Sequence, residues 1–437
     1  MVRQGVPSVG LIHDVFEKLA GLQARQLGME DVPLLIYPQD VPAQDPPEFV
    51  ARKAAEQAGR LPAILIKGQP KAKRSAQAET PSAARAEAIT VDDLDEFVSM
   101  AYARGWTDGL PVLPATEKKV REMIDYLGRD PLEVVGVVPP GEGIATVERI
   151  AINAVMAGCL PEYLPVVITA LEALLDPAFE LNRVQCTTAG PAPLTIISGP
   201  VVQKLGFNYG EGSFTGNGSR ANSTVGRAVR LMLWNLGLGR PGQLSHATFG
   251  HPARYSYLIA ERPPEDNNPW EQIHVTNGLN PEDSAVSVFP VGSHDQISSG
   301  IGAQTLENNL YVFEDAICNL GHFQSGLQRL LVINTKGANV FHQNGWTKAM
   351  FRDALLERCK RPVREIKRTG GHSATLKNHW TKLVDPNDDD AMVPAFAGPE
   401  QLQIMVSGGW APPVSQCAIL HSRHGEMVTR KIDWKWD

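Results

Sequence analysis

Two short apolar runs constrain this chain more than any other feature. Leu194-Thr-Ile-Ile-Ser198 ends on Gly199-Pro200, and Leu330-Leu-Val-Ile-Asn334 leads into Lys336-Gly-Ala-Asn-Val340. Each has the length and β-branched content of a buried strand rather than a buried helix. Each is then followed by a short helical stretch, a second glycine (Gly206, Gly345) and a full helical pattern. Strands that alternate with helices in this way predict an α/β fold. A third apolar run with a glycine turn is Leu402-Gln-Ile-Met-Val-Ser-Gly-Gly409. The likeness of the first two runs predicts a degenerate internal repeat, with halves 89–260 and 261–437. Two independent α/β units with ordinary turn chemistry would look the same.

Around these runs the periodicity predicts helices over 117–127, 146–157, 163–175, 223–236 and 347–359. The patterns over 146–157 and 163–175 are apolar on nearly every face, as core helices are. Thr90, with Asp93 three positions on, predicts the start of a helix reaching Arg104. The stretch His246–Val291 is rich in Pro, Asn and aromatics and reads as loops with short strands. Residues 1–66 carry a β-α-β-α pattern: Ser8-Val-Gly-Leu-Ile12, a helix over 14–27 stopped by Gly28, Pro33-Leu-Leu-Ile-Tyr37, and a helix opened by Pro47. This predicts a small Rossmann-like fragment too short to complete its own sheet. Residues 67–88, rich in Lys, Arg, Ala, Ser, Gln and Pro, read as a linker. The rest, 89–437, reads as a larger α/β or α+β domain.

The net charge of −7 opposes phosphate backbones and anionic lipid. The linker basics Lys67, Lys71, Lys73 and Arg74 have no interleaved aromatics. Neither nucleic acid nor a membrane is an expected partner, and no signal peptide or long apolar span is evident. A cytoplasmic protein is therefore expected. Cys159, Cys186, Cys318, Cys359 and Cys417 are odd in number and contain no C-x-x-C pair, so they are expected as reduced thiols.

Chemistry is expected first in Asn208-Tyr-Gly-Glu-Gly-Ser-Phe-Thr-Gly-Asn-Gly-Ser-Arg220 and the helix that follows. Glycines bring backbone N–H groups close to a ligand, and a helix N-terminus favours negative charge. Arg220 and Arg227 suit a carboxylate or phosphate, with Asn208, Gly216, Asn217 and Asn222 beside them. The run fits neither the P-loop nor the dinucleotide fingerprint, and a flexible surface loop is the plain alternative. Asp108, in the turn Thr107-Asp-Gly109, is a candidate proton-handling carboxylate, although Asp-Gly is also an ordinary turn. His246, or else His322, is a candidate general base. Cys186 is the thiol best placed for an exposed, activated thiolate. Glu148 is expected as a buried acid in need of a partner, with Arg149 or another arginine as the plain account. No histidine set has metal-ligand spacing, and no Gly-x-Ser-x-Gly elbow occurs. Neither metal nor cofactor is expected.

Gly5-Val-Pro-Ser-Val-Gly-Leu-Ile12, Phe16, Leu19, Ala20, Ala24, Leu27-Gly28 and Pro33-Leu-Leu-Ile-Tyr-Pro38 resemble the UGSC family of selenoproteins and their cysteine homologues. Trp106-Thr-Asp-Gly-Leu-Pro-Val112, Ile150–Glu162 and Asn344-Gly-Trp-Thr-Lys348 look like the long region that accompanies such domains. The resemblance implies a selenocysteine- or cysteine-Gly-Ser-Cys motif on a strand-to-helix turn, and with it redox or nucleophilic sulfur or selenium chemistry. No such four-residue run occurs in this sequence. The expectation is a motif encoded upstream behind a UGA codon taken as a stop. A partner subunit carrying the motif, or its loss, are the alternatives.

Together these readings predict an enzyme on a small anionic organic substrate that uses thiol or selenol chemistry. The alternatives are a cofactor-free lyase or hydratase working by acid–base chemistry, and a non-catalytic binding subunit of a two-chain complex. A homo-oligomer is compatible with all three.

Overall fold

The computed structural model describes residues 8–17, 20, 21, 24, 32–37, 47–67, 84–214, 216–299, 305–323, 325–369, 380–409, 415–434 and 436. The chain is α/β, as its strand-and-helix alternation predicts.

At the N-terminal end, β1 (Gly10–His13) and β2 (Leu34–Tyr37) form a parallel pair in the register Gly10↔Leu34 to His13↔Tyr37. A helix spans Pro47–Lys67. The helix expected over 14–27 lies partly outside the described residues, as do Gly28 and the basic residues Lys71, Lys73 and Arg74. A small antiparallel hairpin follows, β3 (Val134–Val138) with β4 (Gly143–Thr146).

The main sheet contains β5 (Ala192–Ser198), β6 (Leu258–Ala260), β7 (Ala285–Ser299), β8 (Arg329–Ile333), β11 (Leu402–Val406), β12 (Ser415–Ser422) and β13 (Val428–Lys431). A separate small pair, β9 (Lys360–Pro362) and β10 (Met392–Pro394), lies between β8 and β11 in the sequence. The main order is β11-β8-β12-β7-β5-β6, with β13 also on β7. This order is symmetric about the β7–β12 pair. On one side β5 is antiparallel to β7 and parallel to β6; on the other β8 is antiparallel to β12 and parallel to β11. Even single bonds correspond: Glu261 N donates to Ile197 O (2.8 Å), and Ser407 N donates to Ile333 O (3.1 Å). The two symmetric parts meet after β7, so a division at 260 separates β6 from β7.

The edge strands do not end free. Arg262 N donates to Val406 O (2.8 Å), Ser407 Oγ donates to Ala260 O (2.7 Å), and Glu261 accepts from Val406 N (3.4 Å). These bonds tie the carboxyl ends of β6 and β11 together and make the sheet curl. Alternate residues then sort into three cores, because successive strand side chains point to opposite faces. Ile197, Val286 and Val288 pack under the helices Glu117–Leu127, Val147–Ala157, Leu164–Leu174 and Arg220–Asn235. Leu331, Ile333, Ile404 and Ile419 pack under Leu306–Ile317, Thr335–Gln343 and Lys348–Arg358. Leu194, Ile196, Phe289, Leu330, Met405 and Leu420, drawn from both parts, share the inner face. The Leu164–Leu174 helix buries every residue except Glu172, in line with its all-round apolar pattern.

Helix starts follow their caps. Thr116, Thr146, Ser219, Asn334 and Thr347 each accept from a first-turn N–H. The first helix of this region is capped by Asp93 rather than Thr90. Asp93 accepts from Glu96 N, and Glu96 accepts from Asp92 N, so the local Asp-x-x-Glu pair outcompetes the earlier threonine. No helix among the described residues is long and apolar enough to cross a membrane.

Candidate functional site

The long strand β7 and its partner β12 pair in the register Ser293↔His421 and Asp295↔Ile419, then Val291↔Ser422. Gly292 is therefore the extra residue of a β-bulge, a feature that bends a ladder and re-aims the flanking side chains. A Cβ at Gly292 would lie 2.7 Å from Arg423 Cβ, so only glycine lets the two backbones approach this closely. The bulge leaves a pocket of about 120 Å³ between Ser293, His421, Ser422 and Arg423, with His322 and Ala189 on its other sides.

Three ionisable side chains converge beside it. Ser293, Asp295 and His421 share one face because they are two apart on β7 or directly paired across it. The Nε2 atoms of His322 and His421 both lie 3.8 Å from Asp295 Oδ2, and the two imidazole centroids are 5.0 Å apart. His322 sits in a turn closed by its own N–H on Asn319 O (2.9 Å). The buried Arg329 also donates to His322 O (3.4 Å).

The electrostatics are those of buried polar groups beside an exposed rim. The His421 side chain is 5 % exposed, and neither ring nitrogen has a hydrogen-bond partner among the described residues. Burial, with Arg329 and His322 nearby, drives its pKa down to about 2, so the ring is neutral at physiological pH. Burial also lowers the Arg423 pKa. Its Nε is buried without a hydrogen-bond partner, and among the described residues no carboxylate forms an ion pair with it. Ser422 Oγ is similarly unpartnered. Unsatisfied polar groups of this kind are costly in an interior, and several of them surround this one cavity.

The residues singled out from sequence lie elsewhere, and their contacts are largely with the fold. Arg227 holds Asp108 at two points (2.9 and 3.2 Å) and also donates to Leu110 O (3.0 Å). Asn222 accepts from Asn208 N (2.7 Å) and donates to Asn208 O (2.9 Å), stapling the glycine-rich loop. Asn208 itself bonds Gly210 N and Glu211 O. Arg220 is exposed and donates to Gly158 O (3.0 Å), and Asn217 is exposed. Gly216, at φ 66°, lies against Ser223, which donates to Gly216 O. Cys186 meets Asn182 Oδ1 (3.6 Å), and burial raises its pKa to about 11, opposite to the shift an activated thiolate needs. His246 stands edge-on to Phe16 (6.3 Å). Glu148 is buried against the linker's end: Arg85 Nε (2.6 Å) and Ala86 N (2.8 Å) both donate to it.

Of the sequence candidates, His322 alone reaches the pocket. His421, Asp295 and Arg423 were missed, because each is an isolated polar residue in sequence and they meet only through strand pairing. Alternation along β7 could not place them, because the Gly292 bulge shifts its parity: Val286 and Val288 share a face with Asp295 and Ile297, an odd number of residues away.

A further aromatic group adjoins the glycine-rich loop. Tyr257 Oη lies 2.8 Å from His294 Nδ1, the His251 ring stacks on Tyr257 (5.5 Å), and Phe214 packs on His294 (4.4 Å). Burial lowers the His251 pKa to about 4.

Residues 1–67 match the model of the UGSC family. This stretch holds β1, β2 and the Pro47–Lys67 helix. No curated protein matches the chain.

Proposed function

We propose that the protein is an enzyme that transforms a small organic anion by acid–base chemistry in the pocket at the β7 bulge. One observation carries the reading: His421, a buried, neutral imidazole whose two nitrogens have no partner among the described residues, faces the same small cavity as Arg423, whose guanidinium has no carboxylate partner among them. The guanidinium fork suits a carboxylate, and its charge is uncompensated until an anion arrives. The arriving anion also raises the basicity of His421, which Arg329 and burial otherwise suppress. Asp295 then stabilises the imidazolium that forms, and the more exposed His322 exchanges protons with solvent. The fitting reaction class is lyase or hydratase chemistry. His421 takes a proton from the carbon next to the carboxylate. A hydroxyl on the following carbon leaves with a proton delivered by protonated His322, and the products are the unsaturated acid and water.

The five thiols support this reading over thiol catalysis. Cys159, Cys318, Cys359 and Cys417 are buried, and burial raises the Cys159 pKa to about 12. A second reading rests on the UGSC match of residues 1–67. In it, sulfur or selenium chemistry is brought to the site by a motif on another chain.

The test is solvent-hydrogen exchange. Short hydroxy- and unsaturated carboxylates incubated with the protein in D2O should gain deuterium beside the carboxylate, as followed by NMR. His421→Gln should slow the exchange by about 10²–10⁴-fold. Exchange that is absent in the wild type, or unchanged in the variant, overturns the proposal.

A further inference from the structure

We infer that this pocket selects short monocarboxylates of about two to three carbons, and that Ala189 at its mouth sets the length limit. The inference rests on the anion reading above and adds the size of the ligand and the residue that enforces it.

The size comes from the walls. A cavity of about 150 Å³ accommodates a ring of six carbon atoms. The pocket here, at about 120 Å³, accommodates about five non-hydrogen atoms on that scale. A carboxylate group takes three of them, which leaves about two for the rest of the ligand, so the hydroxyl of a three-carbon hydroxy acid stands at the opening rather than inside.

The enforcing residue comes from asking which wall can vary. Gly292 cannot gain a side chain without displacing Arg423, since the added Cβ would lie 2.7 Å from Arg423 Cβ. Gly321 is tight against Asn319 Oδ1, at 3.3 Å from an added Cβ. His421, Ser422 and Arg423 form the polar wall. Ala189 is different: it lines the pocket yet is exposed to solvent, so its methyl group stands at the opening.

The loop that carries Ala189 is fixed rather than loose. Ala189 N donates to Thr187 Oγ1 (3.2 Å), and Thr248 N donates to Thr188 O (2.9 Å). Gly190, at φ 68°, fits beneath Ala247 and Gly250, where a Cβ would approach within 2.8 Å of Ala247 Cβ. A larger side chain at position 189 therefore projects over the opening instead of being relieved by loop movement. Because the position is exposed, such a change leaves the buried cores intact.

Calorimetric titration of the full chain with sodium formate, acetate, propionate, butyrate and hexanoate tests this. In the wild type, acetate and propionate should bind, and butyrate and hexanoate should bind at least tenfold more weakly than propionate. Ala189→Val should weaken propionate at least tenfold and leave formate unchanged, while Ala189→Gly should admit butyrate. Arg423→Gln should abolish binding of all five. Equal affinities along the wild-type series, with Arg423→Gln still abolishing them, overturn the size inference and leave the anion reading standing. The absence of binding by any acid to the wild type overturns both. A wild-type length limit that Ala189→Val and Ala189→Gly do not move overturns the role of Ala189.

Discussion

Asp108 and Arg227 grip each other through two parallel contacts, 2.9 Å and 3.2 Å long, with only 6 % and 17 % of their side chains exposed. The pair fastens the Thr107–Gly109 turn to the Arg220–Asn235 helix, and Arg227 adds a bond to Leu110 O. Removing one partner of a buried ion pair strands the other, at a cost of about 3–5 kcal/mol. Asp108→Ala should therefore lower the urea midpoint substantially. Asp108→Ala combined with Arg227→Ala should cost clearly less than the two single losses added together. Additive losses would mean that the pair does not act as a unit.

Acid should destabilise the protein through its buried histidines. His421 titrates near about 2 in the native state and near about 6.5 in the unfolded chain. Between those values the unfolded chain holds the proton and the native protein does not, so stability falls as pH drops below about 6.5. His251, held at about 4 by burial, His294 and Arg254, acts with the same sign. Lowering the pH from 6.5 to 5 should cost about 2 kcal/mol through His421 alone. Melting curves of wild type and His421→Gln across this range should converge as pH falls; parallel curves would contradict the assignment.

Cys186 should be slow and dispensable. With its pKa near 11, about one thiol in a thousand is ionised at pH 8. Iodoacetamide should label native Cys186 far more slowly than it labels glutathione, as judged by mass spectrometry. Cys186→Ser should retain the deuterium exchange activity within about twofold. Rapid labelling together with lost activity would restore the thiol as the nucleophile.

The seam between the two symmetric parts also buries an acid and a base, Glu261 and Lys348, whose charges interact without a direct ion pair among the described residues. Glu261 accepts from Ile273 N (2.6 Å) and Val406 N, while Lys348 donates to Glu271 O (3.0 Å) and Thr276 Oγ1 (2.9 Å). Burial pushes the Glu261 pKa up and the Lys348 pKa down, and each charge offsets the other. Lys348→Met should destabilise by about 3–5 kcal/mol, and adding Glu261→Gln should recover part of the loss. Chemical denaturation followed by circular dichroism measures both; a Lys348→Met protein as stable as wild type would rule the interaction out.

How far the sequence led depended on whether a signal was local. The helices Glu117–Leu127, Val147–Ala157 and Lys348–Arg358 were legible because a threonine cap and a helical period coincide within one turn. Strands β5, β8 and β11 were legible as short, mainly apolar runs bounded by turn residues. The fifteen-residue β7 was not, since Pro290 and Gly292 interrupt it and both residues normally argue against a central strand. In the structure Pro290 faces Pro193, so both missing donors fall on one rung, and Gly292 makes the bulge. The candidate site was lost with β7. Asp295 and His421 are far apart in sequence and meet only through pairing. The glycine-rich loop drew notice through composition, yet Asn208 and Asn222 are occupied in closing it.

The symmetric strand order also bears on how the chain is made. During synthesis β5, β6 and β7 emerge together with the helices that cover their outer face. Their inner face waits for Leu330, Met405 and Leu420, all from the second part. Until the second part has been made, Leu194, Ile196, Phe289 and Val291 present an uncovered apolar strip. A ribosome stalled within the second part would therefore carry a nascent chain whose first part is helix-clad on one side and adhesive on the other, the form that a holdase chaperone grips.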